Sequence, residues 1–431
     1  MLDRRFIVEN AELVKRNCID RGAKVDVDRF VQLEETRKVL QIEVEDLHRK
    51  ANEVSKSIGK AKDPAEREVR KEQGRQLREK TQAVQTQLDQ LAAELDSIHR
   101  QIPNLSHPDA PVGVDDTSNL ELFRGKTPLP KFDFPPLDHV ALGEKLDLVD
   151  FEAGANVAGH GFYFLKNDAV LLELALQRYA VDVLMHEGFT PMTTPDVARN
   201  DVLAGTGYIP RGPETQIYSI ENSDLSLVAT AEITLGGMLA GQTVDYRRLP
   251  IKLCGISHCF RTEAGAHGRA TRGLFRVHQF TKVEMFAFTL PDQSDAMLDH
   301  LRDLECRLFD GLGIPYRVVD TATGDLGGSA YRKFDLEAWM PGRGEFGEVT
   351  STSNCTDFQA RRLNIRYKVH GEKGTHFLHT LNGTAIAISR ALIAIWENYQ
   401  QADGSIVIPE VLRPLVGKER IVVSTDSMTP E

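Results

Sequence analysis

Pro250-Ile251-Lys252-Leu253-Cys254-Gly255-Ile256 runs, through Ser257 and His258, into Cys259-Phe260-Arg261-Thr262-Glu263; a loop follows from Ala264 to Gly273, and then Leu274 to Phe288. Two apolar, β-branched and aromatic runs around a glycine-bearing loop predict strand, loop, strand. Alternation would put Arg261 and Glu263 on one face, and Arg276, His278, Phe280, Lys282 and Glu284 on one face of the return strand. Two arginines, an aromatic ring and two carboxylates arranged like this are costly to bury without partners. A ligand site explains them better. Guanidinium forks suit phosphates, an aromatic plane suits a base, and carboxylates suit amines. Taken alone, Phe280 reads as a core residue, as aromatic strand residues usually do.

Upstream, a helical pattern over Ala169 to Glu187 precedes Gly188-Phe189-Thr190-Pro191, which opens an extended segment ending at Pro195. Seven prolines between Pro103 and Pro136 disfavour long helices there and mark a linker. Earlier still, apolar residues recur in heptads: Phe30, Leu33, Leu40, Val44, Leu47, Ala51, Val54 and Ile58, with Arg37 the misfit, and then Leu77 to Ile102 in the same rhythm. Two such segments predict an antiparallel coiled-coil hairpin with Asp63 as cap and Pro64 in the first turn of its second helix. Each arm would extend about 50 Å. Between His48 and Lys80 there are eleven Lys/Arg against six Asp/Glu, so the distal half carries +5. This charge could be the solvated face of a coiled coil, or an arm that contacts RNA.

The whole chain of 431 residues carries −11, from 52 Lys+Arg against 63 Asp+Glu. That balance excludes a general nucleic-acid coat but leaves room for one local basic patch. Five cysteines are too few, and odd in number, for a disulfide scaffold, so reduced thiols in a cytoplasmic protein are expected. Cys254 and Cys259 depart from zinc-pair spacing, and no zinc is expected. The N-terminus lacks an apolar core of the secretory type, and no segment is apolar enough to span a membrane. Gly324-Asp325-Leu326-Gly327-Gly328 lacks the ending of a phosphate loop and reads as a turn. Glu232 could cap a helix start, and Arg390, in an apolar helix over Ala385 to Trp396, could make a structural salt bridge.

Phe260-Arg261-Thr262-Glu263, its loop and Arg276 to Phe280 resemble motif 2 of class II aminoacyl-tRNA synthetases, and most closely the seryl-tRNA synthetase family of the common bacterial type. The likeness covers essentially the whole chain. Gly188 to Pro195 resembles motif 1, and Leu381-Asn382-Gly383-Thr384 through Arg390 resembles motif 3. Thr230-Ala231-Glu232 resembles the serine-binding element, and Glu348-Val349-Thr350-Ser351 with Asn354 resembles the metal and ATP strand. The resemblance implies an α+β protein: a tRNA-binding coiled-coil arm over 1–109, then a catalytic domain over 110–431 with an antiparallel sheet flanked by helices.

It also implies roles. Arg261 would hold the ATP α-phosphate and the serine carboxylate, and Glu263 would meet the adenine amino group. Phe280 and Arg390 would sandwich the adenine, with Arg276 on the γ-phosphate. Thr262, Val277, Val349 and Thr350 would complete the ATP site, and Glu348 with Ser351 would hold Mg²⁺. Thr230, Ala231, Glu232, Glu284 and Thr384 would surround L-serine; many relatives have Ser where this chain has Thr384. On the arm, Arg49, Lys50, Lys56, Lys60, Arg67, Arg70, Arg75 and Arg78 would contact tRNA. The implied protein is a homodimer that activates serine with ATP and charges tRNA(Ser), with tRNA(Sec) left open as a second acceptor. Ligation of another amino acid or of a carrier protein is an alternative, as is a catalytically silent RNA-binding paralogue. The known carrier-protein relatives lack so long an arm, and Arg261, Arg276 and Arg390, whose loss would mark a silent copy, are all present.

Overall fold

Aspartates open the long helices of the first compact unit, Met1–Leu105. In this computed structural model, which describes residues 1–208, 216–264 and 273–422, Asp3 caps α1 (Arg4–Glu9), and α2 (Ala11–Asp20) follows. Asp26 caps α3 (Val27–Ile58), and Asp63 accepts from the Ala65 amide to start α4 (Pro64–Gln101) with proline in its first turn. At 1.5 Å per residue these two helices run about 48 and 57 Å. They are antiparallel: Arg29 pairs with Glu94 at 2.8 Å near one end, and Lys80 with Glu43 at 3.3 Å further along. The heptad residues form the seam. Phe30, Leu33 and Leu95 join Ile7, Val14 and Ile102 in a base cluster, and Val44, Leu47, Val84 and Leu88 form a distal one. Arg37, the misfit, is accommodated by a bidentate pair with buried Glu34 at 2.7 and 2.9 Å.

The second unit, Ser106–Glu431, is built on an eight-stranded sheet. Its strands are β1 (Leu120–Arg124), β2 (Thr190–Thr193), β3 (Ile251–Phe260), β4 (Gln279–Thr289), β5 (Tyr316–Asp320), β6 (Arg332–Met340), β7 (Glu345–Asn354) and β8 (His379–Ala387), in the order β1-β5-β6-β7-β8-β4-β3-β2. All neighbours are antiparallel except β2, which joins β3 in parallel at the edge. Along β4, Val283, Met285 and Ala287 enter the main core with α5 (Asp168–His186), α7 (Ser294–Leu312) and α9 (Ile388–Asn398). Phe286 and Phe288 pack on the opposite face with α6 (Ala231–Gly237) and α8 (Phe358–Leu363). Burial of each such side chain contributes about 1.5–3 kcal/mol. Lys282 and Glu284 share that second face by the period of two, so the sheet itself delivers them to α6. Gly255 faces Glu284 across the β3–β4 pair; a Cβ there would lie 2.9 Å from Leu235 and 3.1 Å from Ala231, so its bare backbone lets α6 sit down.

Three boundaries differ from the sequence reading. β3 stops at Phe260 and β4 begins only at Gln279, so Arg261, Glu263, Arg276 and His278 lie beyond the strands instead of alternating along them. The cause is tertiary: the His278 amide donates to Gly161 O at 3.0 Å and the Leu274 amide to His139 Nε2 at 3.1 Å, while Glu263 adopts a left-handed φ of 51°. Residues 265–272 of the expected loop lie outside the described residues. Ala385 to Ala387 belong to β8, and the helix carrying Arg390 starts at Ile388. The glycine-rich stretch at 324–328 begins inside a short 3₁₀ turn, Thr323–Asp325, and continues as a turn. No helix among the described residues is long and apolar enough to cross a membrane.

Candidate active site

Thr230, not Glu232, caps α6: its hydroxyl accepts from the Glu232 amide at 3.3 Å. That frees the Glu232 side chain, which turns into the protein and accepts from Gln359 Nε2 at 2.7 Å and from the Tyr208 hydroxyl at 3.1 Å. Gln359 is itself fixed, donating to Thr206 O at 3.0 Å and accepting from Thr380 at 2.7 Å. Burial pushes the Glu232 pKa up to about 7; the Glu284 charge adds to the rise and Gln359 opposes it. Beside it, Thr384 stands directly across from Glu284 in the β8–β4 register, and its hydroxyl donates to Glu284 Oε2 at 3.3 Å. Lys282 Nζ lies 2.5 Å from Glu284 Oε2 and 2.8 Å from Thr230 Oγ1. Thus Thr230, Glu232, Glu284 and Thr384 are brought together. Ala231 packs its methyl into the core with Leu235 and Phe286, so it can reach a ligand only through its backbone.

Next to this group opens a cleft lined by Arg261, Glu263, Phe275, Arg276, Val277, Phe280, Glu348, Val349, Thr350 and Arg390, with Lys282 and Thr384. Arg276 Nη1 donates to Glu263 Oε2 at 2.6 Å. The Arg261 guanidinium sits 5.3 Å from the Phe280 ring centre. Arg390 stacks 4.6 Å over Phe275, donates to Glu348 O at 2.8 Å, and approaches Glu348 Oε2 at 3.4 Å. Phe280 and Arg390 therefore line the same cleft while each engages another partner. Val277 and Val349 are buried, and Thr350 donates to buried Glu305 at 3.0 Å, so these three contribute mainly backbone to the cleft. The Thr262 amide is bound to Gln216 O. The protein surroundings act to raise the Glu348 pKa, but Arg390, Lys333 and Arg261 outweigh them and hold the carboxylate below its ordinary value.

The residues expected to hold a metal offer hard oxygen donors. Ser351 faces Asp335 across the β6–β7 pair, and Asp335 Oδ1 is buried without a hydrogen-bond partner among the described residues. Burial pushes the Asp335 pKa up to about 6 against the pull of Lys333. Together with Glu348 this set suits Mg²⁺, an ion that takes few protein ligands and completes its shell with phosphate and water oxygens. Among the described residues no group of three or more His, Cys, Asp or Glu is gathered to hold a metal by itself. Cys254 and Cys259 are both buried, and burial followed by the Glu284 charge pushes the Cys254 thiol up to about 12.

On the hairpin the eight candidate cations divide into two groups. Arg49 and Lys50 pair with Asp46, Arg70 with Glu66, and Arg75 with Glu72, all within a turn on the same helix. Lys56, Lys60, Arg67 and Arg78 have no carboxylate partner among the described residues. The sequence reading placed Lys282 on the right face but gave it no role, and it missed Tyr208, Gln359 and Phe275 altogether. Those three come from separate segments, and no spacing ties them to the motifs.

Residues 1–106 match the family model described as the seryl-tRNA synthetase N-terminal domain, and 217–399 match the tRNA synthetase class II core domain (G, H, P, S and T). A serine–tRNA ligase of Rhodopirellula baltica is 62% identical over 420 residues, covering 97% of this chain and 98% of that one. The crystal structure of a seryl-tRNA synthetase from Pyrococcus horikoshii complexed with ATP superposes with a TM-score of 0.91 at 39% identity, over 98% of this chain and all of that one. A cytoplasmic serine–tRNA ligase from Naegleria fowleri in complex with AMP gives 0.85 at 33%, over 99% of each chain.

Proposed function

The chain belongs to the seryl-tRNA synthetase family, and from that premise we propose how its two adjoining sites activate L-serine with ATP and pass it to tRNA(Ser). It is an ATP-dependent serine–tRNA ligase. The observation that carries the reading is one juxtaposition: a buried Lys282–Glu284–Thr384–Thr230 cluster opens beside a cleft lined by three arginines. In the first step the serine carboxylate attacks the α-phosphorus of ATP, and pyrophosphate leaves. Arg261 would bridge carboxylate and α-phosphate, Arg276 would take the γ-phosphate, and Phe280 with Arg390 would hold the adenine, with Glu263 on its amino group. Glu232 would receive the serine ammonium, and Glu284 with Thr384 its hydroxyl. When bound, Mg²⁺ supplies positive charge to the phosphates, and Glu348 and Ser351 would hold it. In the second step a terminal ribose hydroxyl of the tRNA attacks the activated carbonyl and AMP leaves. Positioning and charge stabilisation account for both steps, which fits a site with no strong nucleophile.

The arm, residues 1–109 in this reading, would grip the tRNA through its distal cations, and tRNA(Sec) is a further acceptor to test. We assign a homodimer in the cytoplasm. Supporting it, β2 is an edge strand with Thr190, Pro191 and Thr193 exposed, and Leu171 and Leu174 on α5 are exposed too. Light scattering would read the dimer directly. The activity is tested by ATP–pyrophosphate exchange with a panel of amino acids. Serine should support exchange above all others; exchange with another amino acid and none with serine would overturn the assignment.

A further inference from the structure

Lys282 lies in β4 with 6% of its side chain exposed, and its ammonium has three oxygen neighbours: Glu284 Oε2 at 2.5 Å, Thr230 Oγ1 at 2.8 Å and Thr384 Oγ1 at 3.4 Å. Two of its N–H donors make hydrogen bonds to the threonine hydroxyls, and its charge is met by Glu284 in an ion pair. Burying the group is tolerable only because it is paired, and its charge is already spent on Glu284. Its influence must therefore pass through its partners.

Those partners are left in defined states. Glu284 Oε2 is ion-paired with Lys282 and accepts from the Thr384 hydroxyl, whereas Oε1 is buried and has no hydrogen-bond partner among the described residues. Thr230 Oγ1 accepts from Lys282 and from the Glu232 amide, which leaves its own proton to give. Thr384 spends its proton on Glu284.

We infer that Lys282 is a positioning residue for amino-acid selection: it locks the Glu284 carboxylate so that Oε1 can be satisfied only by a hydroxyl brought by the substrate. This rests on the reading that Glu284 meets the serine side chain. An amino acid without that hydroxyl leaves a buried carboxylate oxygen unpaired, and sites built to bond a hydroxyl discriminate strongly against analogues lacking it. With the cation gone, the carboxylate is free to turn and find other partners, and the distinction would fade.

The test is ATP–pyrophosphate exchange with serine and alanine on the full-length protein, comparing wild type with Lys282→Met and with Lys282→Met/Glu284→Gln. The double variant removes the ion pair as a whole and so guards against a fold lost to an unpaired buried charge. We expect Lys282→Met to raise the serine KM roughly 10–100-fold with the ATP KM within about threefold. In both variants the serine-to-alanine ratio of kcat/KM should drop at least about tenfold. If either folded variant keeps the wild-type ratio, or if both substrates' KM values rise in parallel with the ratio intact, Lys282 is merely structural and the inference is wrong. A wild-type protein that prefers another amino acid would instead sink the activity assignment.

Discussion

Glu232 is the residue whose environment has the clearest consequence in solution. Its pKa rises from 4.5 to about 7, so between those values the native state holds a proton that the unfolded chain has released. By linkage its contribution is fully present below about pH 4.5 and is lost as the pH climbs through 7, a swing on the order of 3 kcal/mol at most. Glu232→Gln should therefore make the fall in thermal stability between pH 5 and 8 shallower than in wild type, while raising the serine KM. Parallel stability curves would remove Glu232 as the titrating group. At position 384 the hydroxyl matters more than the methyl. Thr384→Ser should stay within about threefold of wild type in serine exchange; Thr384→Val, which takes an acceptor from Lys282 and a donor from Glu284, should raise the serine KM about tenfold or more. An indifferent Val variant would mean that the Thr384–Glu284 bond is incidental. The types and order of Arg261, Glu263, Phe280 and Glu284 made a nucleotide and amine site legible from sequence, because each type carries its chemistry with it. Gln359 and Tyr208 were not legible, since only the fold brings them to Glu232.

Local rules had most to say at the scale of helices and strands. The hairpin was readable in detail because heptads, the Asp63 cap and Pro64 all act over a few residues. The ends of β3 and β4 were not, because Gly161 and His139, distant in sequence, pull residues 274–278 out of the sheet and turn them toward the cleft. The sequence also could not divide the arm's cations. Among the described residues Lys56, Lys60 and Arg67 lack carboxylate partners, whereas Arg49, Lys50 and Arg75 already face Asp46 or Glu72 a turn away. Phosphate contacts made by unpaired cations release counterions without first breaking a pair. Replacing Lys56, Lys60 and Arg67 together by alanine should raise the tRNA KM about tenfold and flatten the log–log salt dependence of tRNA binding by about 2. Serine-dependent exchange should be unchanged. The same treatment of Arg49, Lys50 and Arg75 should do less, and an equal effect of the two triples would void the distinction.

For the molecule as a whole, the net charge of −11 conceals a division of labour, since the distal hairpin carries +5 and the rest of the chain −16. The two compact units each have a hydrophobic core of their own, with the Phe30 and Leu95 cluster in the first and the sheet core in the second. In the proposed reading adenylate chemistry uses residues of the second unit only, so shortening the hairpin should separate activation from charging. The cut has to respect the base cluster, because Leu33 and Leu95 hold α3 and α4 to α1 and α2. The pairs Arg29–Glu94 and Glu43–Lys80 set a register in which Arg37 lies opposite Thr86, so residues 38–85 can be replaced by a short turn without crossing the base. Such a protein keeps its activation cleft and loses the basic lever. Pyrophosphate exchange with serine should remain within about threefold of wild type, because no group that stabilises the transition state has been touched. Charging of tRNA(Ser) should fall more than about a hundredfold, since the phosphate contacts that supply most of a nucleic-acid ligand's affinity are gone. Charging that survived the deletion would place the tRNA contacts elsewhere, and the arm would then be a scaffold with a solvated surface.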